Sequence, residues 1–445
     1  MGNFSSIKVK NIYFLLFAIV YWLTVYAVYN TNQDAISNLK IFSLVLLILN
    51  IIVIIISRKI PILLIISLFM LNYSYVLTIP AYYYPTKISG IPFYNDNSLL
   101  LDIVIQCSIG MFFLIWFIFV NSKELYRNRF LQDKINEYSE NKNDSLVSFF
   151  GFVGFLVMIT LNNSGKQTSL PLSLTFEYIF IFIFIYRIYS KNNLTNKIVV
   201  HIMLISVGIK TLMTSGRIEL VEALVLLFIF YYEKRIRSLF IIIGSILLNI
   251  FLEFISIIRT GGDVSWSSSK FFFNRSNPPT LILGNEGDVT QSSMAMVGVI
   301  KDLIVDNSMR LNSFVDMIIS QFFPLGSFES FHPNVARYIQ EITVTLGGGF
   351  IYSQWYFWLG ISGVIICCIL INYMFRIAYL ARHVSPLTIM AIYSLVLFVR
   401  WYAYFFDFLI KIPLTLFVLL VVIGIITGRN SLIHNKSLIS SVKRM

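Results

Sequence analysis

The sequence predicts an all-α polytopic membrane protein with about twelve transmembrane helices and one long, partly helical outer loop. Three observations lead there. Apolar residues make up 57% of the chain and charged residues only 13%, where a soluble domain carries about 25% charge. Mean hydropathy is +0.77. Repeated apolar runs of 16 to 22 residues match the ~20 residues of helix that cross a bilayer.

The spans fall at 11–29, 41–56, 60–79, 99–120, 146–161, 171–189, 198–213, 218–232, 238–258, 350–375, 386–406 and 408–427. The first run, Ile12 to Tyr29, has no small-residue cleavage site after it. It is expected to be a retained span rather than a signal peptide.

The positive charge orients the spans. If the N-terminus is cytoplasmic, 21 of the 34 Lys and Arg residues fall in inner segments. The short outer loops then hold only Lys40, Lys87, Lys166 and Arg217. The positive-inside rule therefore predicts that both termini are cytoplasmic. This distribution explains the net charge of +12 without nucleic acid as a partner. Cys107, Cys367 and Cys368 all lie inside apolar runs, too few for a disulfide framework or a metal centre.

The chain divides into three parts: a nine-helix bundle over 1–258, an outer segment over 259–349, and three more helices with a tail over 350–445. The outer segment has helical periodicity. Met296, Val299, Ile300, Leu303 and Ile304 fall at helical spacing, as do Leu311, Phe314, Val315, Ile318, Ile319 and Phe322, opposite Asn312, Asp316 and Ser320. These are expected as short amphipathic helices that lie on the membrane surface or cap a cavity. Residues 259–287 are rich in Gly, Ser, Pro and Asn and read as loop.

Within that segment, "SFHPNVARYIQEITVTLGGGF" (330–350) is polar and punctuated. Pro333 suits the first turn of a helix, which makes His332 the expected N-cap. Val335, Tyr338, Ile339 and Ile342 form an apolar stripe opposite Asn334, Arg337 and Glu341. Gly347 is a suitable terminator. A histidine at the positive end of the helix stays neutral and can accept a proton. The simpler alternative is a surface helix solvated by an Arg–Glu pair.

A second stretch, "TLMTSGRIELVE" (211–222), joins two short spans. Sixteen residues make ~24 Å of helix against a hydrocarbon core of ~30 Å. Arg217 is therefore expected below the outer surface, facing a polar cavity or paired with Glu219 or Glu222. Snorkelling to lipid phosphate is the alternative. In "EFISIIRTGGD", Arg259 ends a span, and glycines after it allow close backbone approach to a ligand. An arginine marking the membrane boundary explains it equally. Interhelical pairing suffices for Lys210, Glu253, Arg400, Asp407 and Lys411.

Several arginines on one outer face suit a diphosphate, whose oxygens a guanidinium grips with a planar fork. They would stabilise it as charge develops on departure. No DxD pair appears; Glu286-Gly-Asp288 is a weak metal signal in a Gly-rich stretch. His332, Glu329 or Glu341 could activate an attacking hydroxyl.

The twelve spans, the long late outer loop, "TSGR" at the outer start of a span and "HPNVARYIQEITVTLGGGF…YFWLGISG" together resemble the O-antigen polymerases, which group with the O-antigen ligases. The serine–arginine turn of that family is matched loosely by Ser215-Gly216-Arg217, with one glycine inserted. Its Arg-x10-Gly pattern is matched by Arg337 and Gly348. The ligases' histidine is followed by a small polar residue and a glycine about ten residues on. His332 is followed by proline, with Gly347 the nearest downstream glycine, which favours polymerase.

The resemblance implies a lipid-carrier glycosyltransferase (GT-C-like) architecture in a bacterial inner membrane. It implies polymerisation of undecaprenyl-diphosphate-linked oligosaccharides on the periplasmic face, without metal or other cofactor and without nucleic acid. Membrane lipid and a chain-length regulator protein are the further partners it suggests. Arg217, Arg259, Arg275, Arg310 and Arg337 are the expected diphosphate ligands. His332, Arg337, Glu341 and Glu329 are the expected catalytic groups. The rivals are an O-antigen ligase and a lipid-linked oligosaccharide flippase. No internal repeat relates the halves of the chain, which weakens carriers built from duplicated bundles, and a flippase needs no outer segment of this length.

Overall fold

A computed structural model describes residues 35–83, 96–140, 142–161, 175–213, 218–259, 285–322, 334–343, 345 and 348–428. Among them the regular structure is entirely helical: α1 (Ala35–Ser57), α2 (Pro61–Tyr83), α3 (Asn97–Arg127), α4 (Leu131–Ser139), α5 (Ser145–Leu161), α6 (Thr175–Tyr189), α7 (Leu194–Met213), α8 (Ile218–Leu227) with a π turn (Phe228–Tyr232), α9 (Ser238–Arg259), α10 (Asn285–Lys301), α11 (Asn307–Phe322), α12 (Val335–Ile342), α13 (Ile351–Leu380), α14 (Pro386–Val396), α15 (Phe398–Ala403), and a 3-10 turn (Phe406–Phe408) before α16 (Lys411–Ile426). Without water to serve them, backbone groups in lipid must bond within their own segment, and helices do this.

Among the described residues, five helices are long and apolar enough to cross a membrane: Ser37–Ser57, Asn97–Arg127, Leu194–Leu212, Ile351–Leu380 and Phe406–Ile426. Each expected span from 41–56 onward coincides wholly or largely with described helix. The expected first span, 11–29, lies outside the described residues.

The helix ends are written in the sequence. Pro61 opens α2 after the charged pair Arg58-Lys59. Asp96 caps α3, accepting from the Ser98 and Leu99 amides at 2.7 and 3.4 Å. Ser385 caps α14, with Pro386 next and Thr388 completing a capping box.

The described chain forms two compact units. The first holds α1–α3, α9–α12, α13 up to Tyr373, and residues 400–406. There α1 packs on α2 and α3, and α10 packs on α2, α3 and α12. Lipid is as apolar as leucine, so close packing and interhelical polar bonds hold the helices rather than hydrophobicity. Ser57 and Ser67 bond at 3.2 Å between α1 and α2, and Asn249 of α9 donates to Asn72 of α2 at 2.7 Å. The rings of Tyr73, Phe350 and Tyr402 meet edge-on with centroids 5.7–6.2 Å apart.

The second unit holds α4–α8, the end of α13, α14 and α16. Here α5 lies so close to α6 that a Cβ on Gly151 would come within 2.8 Å of the Tyr186 backbone nitrogen. Phe184 stacks edge-on against Phe230 and Tyr393, and the Tyr393 hydroxyl donates to the Glu177 carbonyl at 2.7 Å. Lys210 also serves a backbone group, the Ile159 carbonyl on α5. The three cysteines are buried and unbridged.

Candidate functional site

The first unit carries the outer-segment helices. Helix α12 begins at Val335, with Asn334 as its cap; the Asn334 side chain accepts from the Arg337 amide at 3.1 Å. This corrects the expectation that His332 is the N-cap and Pro333 the first helical residue. Asparagine outranks histidine as a cap because its short carbonyl reaches the N3 amide. The helix closes at Thr343, ahead of the expected terminator Gly347.

Three of the four expected stripe residues, Val335, Tyr338 and Ile339, are buried, with Ala336 beside them, and Ile342 is exposed. Arg337 and Glu341 stand on the opposite face, 60% and 49% exposed, 3.6 Å apart. A pair this exposed contributes at most about 0.5 kcal/mol, so little opposes a turn of Arg337 towards an anionic ligand. The chain then re-enters the bundle through Gly348 and Gly349, at φ 79° and 146°. A Cβ on Gly348 would sit 2.9 Å from the Ala403 carbonyl oxygen, which accepts the Gly349 N–H at 3.0 Å. Glycine is required there on both conformational and steric grounds.

Arg310 has a different setting. Helix α13 is broken at Gly360 (φ 64°, ψ −149°), about one turn beyond Tyr356 and Phe357. Arg310 supplies donors: its Nε lies 2.5 Å from the Phe357 oxygen and its Nη2 3.4 Å from the Tyr356 oxygen. Nη1 donates to Asn307 at 3.0 Å. This geometry favours anchoring of α11 on α13 over the expected diphosphate binding. Burial holds the Arg310 pKa below its ordinary value. Tyr338 of α12 meets the same Phe357 through its ring, 6.2 Å between centroids, so α11 and α12 converge on one turn of α13. Phe314, Trp355, Trp358 and Phe406 form an aromatic cluster beside it, and Trp358 donates to Ser313 at 3.2 Å.

Helix α10 departs from the amphipathic expectation. Residues 289–299 are buried on every side, including Thr290, Gln291, Ser292 and Ser293, because α2, α3 and α12 surround them. Glu286 and Asp288 lie in its first turn rather than in a loop, where the helix dipole favours acid. Leu303 and Ile304 fall past its end and are exposed.

The expected stripe of α11 is split: Phe314 and Ile319 are half-buried, and Asn312, expected opposite, is exposed. Leu311, Val315, Ile318 and Phe322 are exposed, while Ser313, Met317, Ser320 and Gln321 are buried. The stripe suits a bilayer surface.

Sequence reasoning passed over a polar line on α3. Asp102, Gln106 and Gly110 recur every four residues and share one face. Asp102 pairs with Lys301 at the end of α10, 2.5 Å apart. Gln106 accepts from Ser353 of α13 at 2.7 Å, and Gly110 makes room for the Tyr352 ring. Asp96, the cap six residues before Asp102, is held below its ordinary pKa: burial pushes it up, but bonds from Ser98 and Leu99 and the Lys301 charge outweigh that. The signal was present, since Asp102 is the one charged residue in the run 99–120. Two amide groups in this interior lack a hydrogen-bond partner among the described residues: both side-chain atoms of Gln291, and the Gln106 nitrogen. Buried amides are normally satisfied, so the seam has spare polar capacity.

Of the residues expected at the site, Arg310, Arg337 and Glu341 belong to the first unit. Arg259 is the last residue of α9 in that unit; only its backbone is described. His332, Glu329, Arg217 and Arg275 lie outside the described residues. In comparisons with known proteins, no family model, no curated protein and no solved structure matches the chain.

Proposed function

We propose that the chain polymerises undecaprenyl-diphosphate-linked oligosaccharide repeats on the periplasmic face of the bacterial inner membrane, with twelve spans and both termini cytoplasmic. The observation that carries this reading is α12. Its Arg337 is exposed and loosely paired with Glu341, and so available to an anionic ligand, ahead of the left-handed turn at Gly348; the Arg-x10-Gly spacing of these two residues resembles that of the O-antigen polymerases. The polar seam of Gln106 and Gln291 adds support, because buried amides with unused donors and acceptors suit a hydroxyl-rich sugar.

In this mechanism Arg217, Arg259, Arg275 and Arg337 hold the donor diphosphate. The acceptor sugar hydroxyl attacks the anomeric carbon of the donor chain. The C–O bond to the diphosphate breaks, and undecaprenyl diphosphate leaves with the electron pair. The hydroxyl proton passes to His332, or to Glu329 or Glu341 in its place.

A lipopolysaccharide gel of a deletion strain tests the reading. Core capped by a single repeat supports it. Bare core with polymer accumulating on the carrier indicates a ligase, and single units trapped inside indicate a flippase. In complementation, full-length polymer from both Arg217→Ala and Arg337→Ala removes the diphosphate assignment.

A further inference from the structure

The second unit forms a half-open cavity of about 580 Å³ that the proposed glycosyl transfer does not use. It lies where α6 ends, α7 begins and the π turn closes α8. Arg187, Lys197 and Arg235 line it, and no Asp or Glu does among the described residues. Arg187 is only 4% exposed. Its Nη2 donates to Asn136 at 2.6 Å and its guanidinium lies 5.6 Å from the Tyr231 ring centre. Its Nε has no hydrogen-bond partner, and no described carboxylate pairs with it. A buried cation without a counter-ion is costly.

The wall is prepared for a ligand. The π turn presents Tyr231 and Tyr232 together to His201, which stacks on Tyr231 at 4.7 Å. His201 Nδ1 lies 2.7 Å from the Lys197 carbonyl oxygen, so it donates there, and Nε2 accepts from the Tyr232 hydroxyl at 3.2 Å. The Tyr231 hydroxyl is buried and lacks a partner. π turns inside α-helices recur at functional sites. Below the basic rim, Ile198, Ile202 and Ile205 line the cavity and are 49–57% exposed along one stripe of α7.

We propose that this cavity binds an anionic glycerophospholipid of the bilayer, its phosphate between Arg187, Lys197 and Arg235 and an acyl chain along the isoleucine stripe. Charge and shape both select this occupant. Three cations with no acid among the described lining residues favour an anion, and an open apolar stripe leading from them suits a hydrocarbon tail. By the charge distribution of the sequence these helix ends are cytoplasmic, the leaflet side on which basic clusters meet anionic lipid.

Native mass spectrometry of the full chain in non-ionic detergent tests this. Phosphatidylglycerol should be retained about tenfold or more better than phosphatidylcholine. Lys197→Gln with Arg235→Gln, one half-buried and one exposed, should lower phosphatidylglycerol retention by a similar factor at unchanged thermal stability. Arg187→Gln should lower it further if it folds; the double variant decides if it does not. Equal retention of the two lipids, or no effect of the double variant, overturns the proposal. Displacement by inorganic phosphate at matched concentration overturns it in favour of a free-anion site. Preference for farnesyl diphosphate overturns it in favour of an isoprenoid carrier.

Discussion

Glu233→Gln isolates one buried charge. Glu233 follows the π turn, is fully buried, and its Oε2 accepts the Gln132 amide at 2.7 Å. It thereby caps α4, whose own N-cap, Phe130, offers no side-chain bond. Burial pushes the Glu233 pKa from 4.5 up to about 8; the Gln132 and Leu131 amides pull it down and Asp133 pushes it up again. The folded protein therefore holds this proton more tightly than the unfolded chain. The stability so gained is complete below pH 4.5 and is lost as pH rises through about 8. At about 1.4 kcal/mol per tenfold, the interval corresponds to at most about 5 kcal/mol. Glutamine mimics the neutral acid at every pH and keeps the carbonyl that caps α4. Thermal unfolding in detergent, followed by intrinsic fluorescence, should show the wild type losing stability from pH 6 to 9. The variant should match it near pH 5 and exceed it at pH 9. Parallel pH profiles, or a variant less stable at pH 9, would refute the reasoning.

Gly348→Val should destabilise by about 2 kcal/mol or more, since a left-handed β-branched residue would also strike the Ala403 carbonyl; an unchanged melting temperature contradicts this. Asp102→Asn and Lys301→Met should each cost about 1–2 kcal/mol, less than a fully buried pair because both ends are partly exposed. The double variant should recover part of that loss, and simple additivity in a double-mutant cycle counts against the pair. Arg337→Ala should shorten polymer while leaving thermal stability within about 0.5 kcal/mol; a large stability loss would make its role structural. A photoreactive acyl-chain probe should label cysteines placed at Val315 and Ile318 but not at Ser313 or Met317; the reverse pattern means that α11 turns its apolar side inward.

Helix positions were legible because a bilayer demands long apolar runs, and their ends were legible where Asp96, Ser385 and Pro61 stand. The cap of α12 was misplaced by two residues: proline marks a start region, whereas the nearer asparagine reaches the amide. The glycine turn before Phe350 was legible as a re-entry point. Its necessity was not, because it depends on Ala403, more than fifty residues away in the chain. Arg310 drew attention as a phosphate ligand because charge in an outer loop is conspicuous. Its partners are the Phe357 and Tyr356 carbonyls of α13, which no local pattern announces. The polar line of Asp102 and Gln106 was visible at four-residue spacing, but its partners on α10 and α13 required the fold.

Helix α11 shows why amphipathicity has no fixed sense in such a chain. In water an apolar stripe faces the protein, since the alternative is hydration. At a bilayer surface the stripe has two apolar environments available, and polar contacts decide between them. Ser313 accepts the Trp358 indole N–H, and Gln321 donates to the Met317 carbonyl within the buried face. Turning α11 by half a revolution would strand the indole N–H in a dry interior, at a cost of about 1–3 kcal/mol, and would bring no apolar burial that lipid does not already provide. The same reasoning applies to α7. Its Ile198, Ile202 and Ile205 are exposed along the open side of the cavity that Lys197 and His201 line beside Arg187. In both helices the polar residues set the rotation and the apolar ones follow the lipid.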